Sequence, residues 1–367
     1  TQNYNVAIDG GNERASYNVS LGYINQGGVF LGTDYKRFSG IGNVNFKVSE
    51  RFRLESNISY LWNDNKFLTS NQVQLTRSVR VPPLNRLYLD NGLPALGESV
   101  SVRNRLHELH YQDLNANNDQ TTFRLVGDLE LARGLHFRPS ASLHIVQNRF
   151  LFFERLFTGQ QRQRDKIQEL TQDKQFMTDQ ILQYDRTFGA KHNLTTLAGF
   201  NFTRQVNFNL RGTGQRSTDD YTSTFSGDPP TTVINGVQQP NFGLSSGYFE
   251  TKTASLFGQV NYDYDGKYLL GASIRYDGFS SFAPNNRYAL FPSVSAGWNI
   301  HRENFWQMPF INQFKIRSSY GQTGLSGLSY TDTYGGYGSA AYGGNGGIVR
   351  TTLANPNLLW ETTETTD

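Results

Sequence analysis

Four stretches of this 367-residue chain hold side chains of a kind that does chemistry. "HELH", His107 to His110, sets two imidazoles three residues apart, the spacing at which a helix offers both to one metal. A zinc site needs a third protein ligand, and the long polar segment around this one supplies none. Asp113, Asn115, Asn117 and Asp119 alternate as calcium ligands do, but Asn118 stands where the turn glycine belongs and Arg124 where a bidentate glutamate would sit. That segment reads as a loop entering a strand at Thr121. "YGGYGSAAYGGNGG", Tyr334 to Gly347, is glycine-rich, yet no strand leads closely into it and no helix follows, so it lacks the frame of a phosphate cradle. Asp219 and Asp220 are adjacent carboxylates in a polar loop, without the apolar neighbours that would raise a pKa for general-acid work. No H-E-x-x-H motif is present, and no serine–histidine–aspartate set is evident. The chain is not expected to be an enzyme, and no cofactor or metal is expected.

What remains is the framework. Hydrophobic residues are only 37% of the chain and charged ones 18%, against about a quarter in soluble domains. Glycine (36), phenylalanine (26) and tyrosine (20) are abundant, a composition that leans to strands and turns. A net charge of +3 without a basic block gives no electrostatic footprint for nucleic acid. Cysteine is absent, which excludes disulfides, thiol catalysis and thiolate metal sites. No apolar run approaches the roughly 20 residues of a membrane helix. Mean hydropathy is negative, as in a soluble protein, but also as in a membrane β-barrel, where only alternate residues meet lipid.

Alternation is the dominant pattern. Ala15, Tyr17, Val19, Leu21 and Tyr23 are apolar, with Ser16, Asn18, Ser20 and Gly22 between them. The same two-residue period runs through Phe52, Leu54, Ile58, Tyr60 and Trp62, through Tyr268, Leu270, Ala272, Ile274 and Tyr276, and through Val294, Ala296, Trp298 and Ile300. About thirteen such strands are predicted, most of roughly 9 to 13 residues, near the length a tilted membrane strand needs. Tight turns at 10–13, 48–51, 132–134, 189–191 and 263–266 alternate with longer segments at 27–34, 65–120, 151–171, 207–248, 280–287 and 324–358. Short turns at one end and long loops at the other are the outer-membrane arrangement. Tyr4, Tyr23, Tyr60, Trp62, Tyr262, Tyr264, Tyr268, Tyr276, Trp298 and Tyr320 fall near strand ends on the apolar parity, as girdle residues do. The fold class expected is all-β, a transmembrane antiparallel barrel. The longest loops carry Tyr221, Phe225, Tyr330, Tyr334, Tyr337, Tyr342 and Trp360, whose rings either stack on sugars or peptide side chains or pack the loops together.

"YLLGASIRYDGFSSFAPNNRYALFPSVSAGWNI" (268–300), "KIRSSYGQTG" (315–324) and "ANPNLLWETTETTD" (354–367) resemble the barrel of the SusC/RagA family of TonB-dependent outer-membrane transporters. Ser281 and Ala283 depart from that pattern, where arginine and glycine are common. The resemblance implies a 22-stranded barrel with an N-terminal plug. This chain would be a single partial barrel domain from the first barrel strand onward, with the plug, the TonB-contacting segment and the closing strands lying outside it. It implies TonB-coupled import of oligosaccharides or peptides, a SusD-like lipoprotein as partner, and outer-membrane lipid around the barrel. It also implies a polar inner wall bearing Asn5, Asn18, Arg53, Asn57, Arg124, Asn201, Asn261, Arg275, Lys315 and Arg317. A passive outer-membrane channel and, from another class, a soluble β-rich adhesin are the alternatives that the residues leave open.

Overall fold

The computed structural model describes all residues except 67–81, 83, 99–102, 158–163, 218, 222, 226–230, 235, 241, 309, 328 and 343–344. Thirteen strands form one antiparallel sheet: β1 (Gln2–Gly11), β2 (Ala15–Gly27), β3 (Asp34–Ser49), β4 (Phe52–Lys66), β5 (Gln112–Ala132), β6 (Leu135–Glu154), β7 (Lys166–Phe188), β8 (His192–Gly214), β11 (Phe242–Tyr264), β12 (Tyr268–Phe279), β13 (Tyr288–Asn299), β14 (Lys315–Leu325) and β17 (Glu361–Thr366). Between these lie two separate hairpins, β9 (Thr231–Ile234) with β10 (Val237–Pro240) and β15 (Gly336–Tyr342) with β16 (Asn345–Thr352). Every strand of the large sheet pairs with its chain neighbour in that sheet, an up-and-down meander. No described helix is long and apolar enough to cross a membrane.

Turn chemistry fixes one end. The β5–β6 hairpin turns through Gly134 at φ 77°, where a Cβ would come within 2.2 Å of the Asp185 carbonyl oxygen. The β11–β12 hairpin turns through Asp265 and Gly266, both left-handed at φ 56° and 64°, the asparagine/aspartate–glycine chemistry of tight hairpins.

Register then decides which residues share a face. In an antiparallel pair directly opposed residues point the same way. Tyr4 opposes Tyr23, Val6 opposes Leu21 and Ile8 opposes Val19; Tyr23 opposes Phe38, and Phe38 opposes Trp62. Across β11 to β14 the same face carries Val260, Ala272, Val294 and Tyr320 in one row, and Tyr264, Tyr268, Trp298 and Ile316 in another. These side chains are not covered by a second layer. Among them Trp298 is 36% exposed and Val6 61%, while Tyr23, Trp62 and Tyr264 are half-buried. Among the described residues the buried hydrophobic set is only Ala95, Phe153, Phe157, Phe282, Ala283, Phe291 and Ile300, far too few for the core of a water-soluble chain of this size. The opening alternation therefore belongs to a sheet whose apolar face is left exposed rather than packed into a core.

Two expectations need correction. The strands β5 to β8 and β11 run 20 to 23 residues rather than about 13, so that the segments read as loops at 65–120, 151–171 and 207–248 are partly strand. The extensions carry few apolar residues, Leu114 and Ala116 in 112–120, Leu170 in 168–174, and Phe208 and Leu210 in 207–214, so the alternation that marks the strands elsewhere fades while pairing continues. Asp113, Asn115, Asn117 and Asp119 accordingly lie on an extended strand opposite Phe153, Leu151, Arg149 and Gln147, which is incompatible with a calcium loop. Second, the connection from β13 to β14 spans 300–314, a long excursion at the end where the other connections are two or three residues.

Candidate functional site

The face opposite the apolar one is a polar wall. Register places Arg53 opposite Lys47 and Asp128, Asn57 opposite Asn43 and Arg124, Asn261 opposite Thr195 and Gly271, and Arg275 opposite Phe257 and Phe291. Lys315 and Arg317 oppose Asn299 and Gly297 on the same face, and Asn5, Asn18 and Asn201 share it. All the wall residues expected from the sequence thus come to one side.

Their hydrogen bonds run across strands. Asn57 donates to Asn43 at 2.5 Å, Asn201 to Asp179 at 2.6 Å and Thr195 to Asp185 at 2.8 Å. Asp128 joins His136 Nδ1 (2.8 Å) and Arg138 Nε (3.3 Å), and Arg138 goes on to Gln183 at 2.6 Å. Toward the turn end a groove of about 530 Å³ is lined by Asn193, Thr195, Asn261, Asp263, Lys315 and Arg317. Such a wall offers donors and acceptors at short intervals and no assembled catalytic group.

At the loop end, a clasp ties three connections together. The helix Arg105–Tyr111 starts at Asn104, whose side chain accepts from the Leu106 N–H at 3.0 Å and donates to the Leu87 carbonyl at 2.8 Å. His107, the first histidine of "HELH", is buried between Tyr111 and Phe157 with ring centroids 4.5 and 4.6 Å away. Burial pushes its pKa down, and the neighbouring Arg103 pushes the same way. Walled in by those rings, it serves packing. Glu154 takes Arg103 at 2.5 Å and Gln112 at 2.7 Å.

The 215–225 segment is pinned to these strands by Lys166 and Asp220. Lys166 is fully buried and donates to Ser217 Oγ at 3.3 Å and to the Thr224 carbonyl. Asp220 accepts the Leu156 N–H at 3.0 Å and Arg164 Nε at 2.8 Å. Partial burial would raise the Asp220 pKa, but the Leu156 N–H and Arg164 outweigh it and hold the carboxylate below its usual range. No local sequence pattern marks Lys166 or Asp220 for this role, because their partners lie 51 to 64 residues away.

A second cluster sits over β12, β13 and β14. Trp360 stacks on Phe282 at 5.1 Å, meets Phe291 edge-on at 5.5 Å, and donates its indole N–H to the Arg287 carbonyl at 3.2 Å. Phe291 in turn fills the space above Gly324, where a Cβ would lie 2.0 Å from its ring. Tyr334 donates to the Phe282 carbonyl at 3.2 Å and stacks on Tyr330 at 4.3 Å.

The loop aromatics therefore divide. Phe225 lies against Gly212 and Gly214 with the Lys166 ammonium 5.3 Å from its ring, and with Trp360 and Tyr334 it holds loops in place. Tyr221 is 94% exposed; Tyr330 and Tyr337 are also exposed, with one face of Tyr330 against Tyr334 and the Arg350 guanidinium 5.8 Å from the Tyr337 ring. The side chain of Tyr342 lies outside the described residues.

With a lone antiparallel meander, an exposed apolar face and a polar wall behind it, the family comparison is decisive: residues 2–367 match the model of the TonB dependent receptor-like β-barrel. The chain belongs to that family. TonB-dependent receptor P3 of Formosa agariphila is 28% identical over 385 residues, covering all of this chain and 37% of the relative. TonB-dependent receptor SusC of Bacteroides thetaiotaomicron is 23% identical, covering 99% of this chain and 38% of SusC. In fold, the sheet superposes on the RagAB peptide transporter with a TM-score of 0.83 at 19% identity, over 99% of this chain and 41% of that one. The chain thus spans little more than a third of the length of these curated relatives.

Proposed function

We propose that the protein carrying this barrel segment imports oligosaccharides or peptides across the outer membrane, powered through TonB and working with a SusD-like surface lipoprotein. The reading rests on one observation: register sorts the sheet into an exposed apolar face edged by aromatics and a predominantly polar wall. In the barrel of its family the first face meets lipid and the second lines the interior. A plug would occupy that interior, contributed by a part of the protein outside this chain, as would the strands that close the barrel. Arg53, Asn57, Arg124, Asn261, Arg275, Lys315 and Arg317 would then exchange hydrogen bonds with the plug or with passing solute.

For the substrate class, two features support sugars or peptides. Tyr221, Tyr330 and Tyr337 are exposed rings at the loop end, suited to stacking on pyranose faces or peptide side chains. RagAB, similar in fold, is a peptide transporter. The test is uptake of labelled oligosaccharides and peptides by cells carrying or lacking the full-length protein. Import that stops when the proton-motive force is collapsed supports the TonB-coupled reading. Import that continues undiminished means a passive channel.

A further inference from the structure

Five of the six turn-end connections are two or three residues long; the sixth, 300–314, is fifteen. It is also apolar, with Phe305, Trp306, Met308, Phe310, Ile311 and Phe314 in its span. Such a segment has two places to go at the rim of a barrel: under the polar interior or out over the apolar face.

Glu303 settles which. Its Oε1 accepts from the Tyr268 hydroxyl at 2.7 Å and from the Trp298 indole N–H at 3.1 Å, and its Oε2 accepts from Lys267 Nζ at 3.1 Å. Tyr268 and Trp298 oppose each other on the apolar face, rings stacked at 6.2 Å. The segment is therefore buttoned to the outer side of the rim. Phe305 continues the aromatic row against Trp298 at 6.4 Å, while Trp306 folds back onto Phe314 at 5.3 Å and Ile300 is buried at the base. Phe305, Met308 and Phe310 are left facing outward, 64%, 47% and 79% exposed.

We propose that residues 300–314 form an interfacial foot, with Phe305, Met308 and Phe310 seated at the headgroup–acyl boundary of the leaflet at the turn end, which is the periplasmic one. The proposal rests on the membrane placement under Proposed function. Three features favour lipid over a protein partner as the occupant. Phe305 extends the Tyr268–Trp298 aromatic row, and Met308 and Phe310 follow it in the same connection. Glu303, the carboxylate beside them, is neutralised by Lys267 and saturated by the two aromatic donors, which keep it ionised below its usual pKa without leaving a bare charge at the boundary. Large apolar groups beside satisfied polar ones are the composition of an interfacial anchor.

The chain has no cysteine, so single labelling sites are available once any cysteine elsewhere in the full-length protein is replaced by serine. Spin labels at Phe310→Cys and Phe305→Cys, in the full-length protein in phospholipid bilayers, are compared with labels at Leu270→Cys on the apolar face and Glu13→Cys in a turn of the same end. Collision with dissolved oxygen, which concentrates in lipid, is measured against collision with a water-soluble nickel chelate. The expected result is oxygen-dominated relaxation at both foot positions, shallower than Leu270 and severalfold above Glu13 in oxygen-to-nickel ratio. Nickel-dominated relaxation like that of Glu13 overturns the foot and leaves the barrel standing. Labels shielded from both reagents overturn it in favour of a protein partner. Nickel access at Leu270 itself overturns the membrane placement, and the foot with it.

Discussion

The most direct test of the lipid-facing assignment is an arginine scan along β12. Tyr268 and Tyr276 mark the two edges of the apolar run on that strand, with Leu270, Ala272 and Ile274 between them on the same face. Eight steps of about 3.3 Å give roughly 26 Å of strand, and a tilt of about 40° reduces this to a height near 20 Å, close to the apolar band of an outer-membrane barrel. Ala272, midway, opposes Val260 and Val294 and sits about 10 Å from either edge by the same geometry. An arginine at the bilayer midplane costs about 2–4 kcal/mol and near the interface about 0–1 kcal/mol. Ala272→Arg is therefore expected to destabilise by about 3 kcal/mol, roughly a hundredfold in the folding equilibrium, with Leu270→Arg and Ile274→Arg at about 1–2 kcal/mol. Ser273→Arg, one position along and on the polar wall, loses only the 2.7 Å bond between the Ser273 and Ser293 hydroxyls, worth about 1 kcal/mol. Urea unfolding of the full-length protein in phospholipid bilayers measures all four. A protein core would penalise by burial and lipid penalises by depth. Equal costs at 270, 272 and 274, or a larger cost at Ser273 than at Ala272, would refute the assignment.

Three further outcomes follow from the site. Lys166→Met leaves the Thr224 carbonyl without its donor, at a cost of about 1–3 kcal/mol, and should expose 215–225 to limited proteolysis while leaving the sheet intact. Trp360→Ala should destabilise the protein by about 3 kcal/mol by opening the space between Phe282 and Phe291, whereas Tyr221→Ala should leave the melting temperature within about a degree or two and reduce substrate uptake. Glu250, just beyond the apolar band on β11, is held at a pKa of about 2 by Arg204 first, then Tyr248 and Lys252. Because its folded pKa is depressed, its stabilising effect is present above the ordinary value of 4.5 and is lost as pH falls through about 2. The difference in thermal midpoint between wild type and Glu250→Gln should accordingly be flat between about pH 5 and 8 and vanish in strong acid.

What could be read in advance and what could not follows from the range of the interactions. A strand with one face in hydrocarbon must alternate, so residues 15–23 and 268–276 announce both their conformation and their orientation. Register, once the turns are tight, carries that orientation from strand to strand, which is why the polar wall from Arg53 to Arg317 came out on one side without a contact being known. Above the membrane boundary the constraint disappears. β7 and β8 continue through Lys166–Lys174 and Val206–Gly214, where the ladder is held by backbone pairing and apolar residues are few, Ile167, Leu170, Val206, Phe208 and Leu210.

The same loss of pattern hid the roles of the loop residues. Phe225 and Trp360 look in sequence like Tyr221, aromatic residues among polar loop residues. Only the distant Gly212 and Gly214 under Phe225, and Phe282 and Phe291 around Trp360, separate rings that hold loops from the ring that faces solvent. Under the proposed function, substrate contacts belong to the loop end, where hydrocarbon enforces nothing. It follows that the segment most legible in sequence is the one least informative about what is transported. The exposed aromatics, beginning with Tyr221, are where substitutions should change selectivity without touching stability.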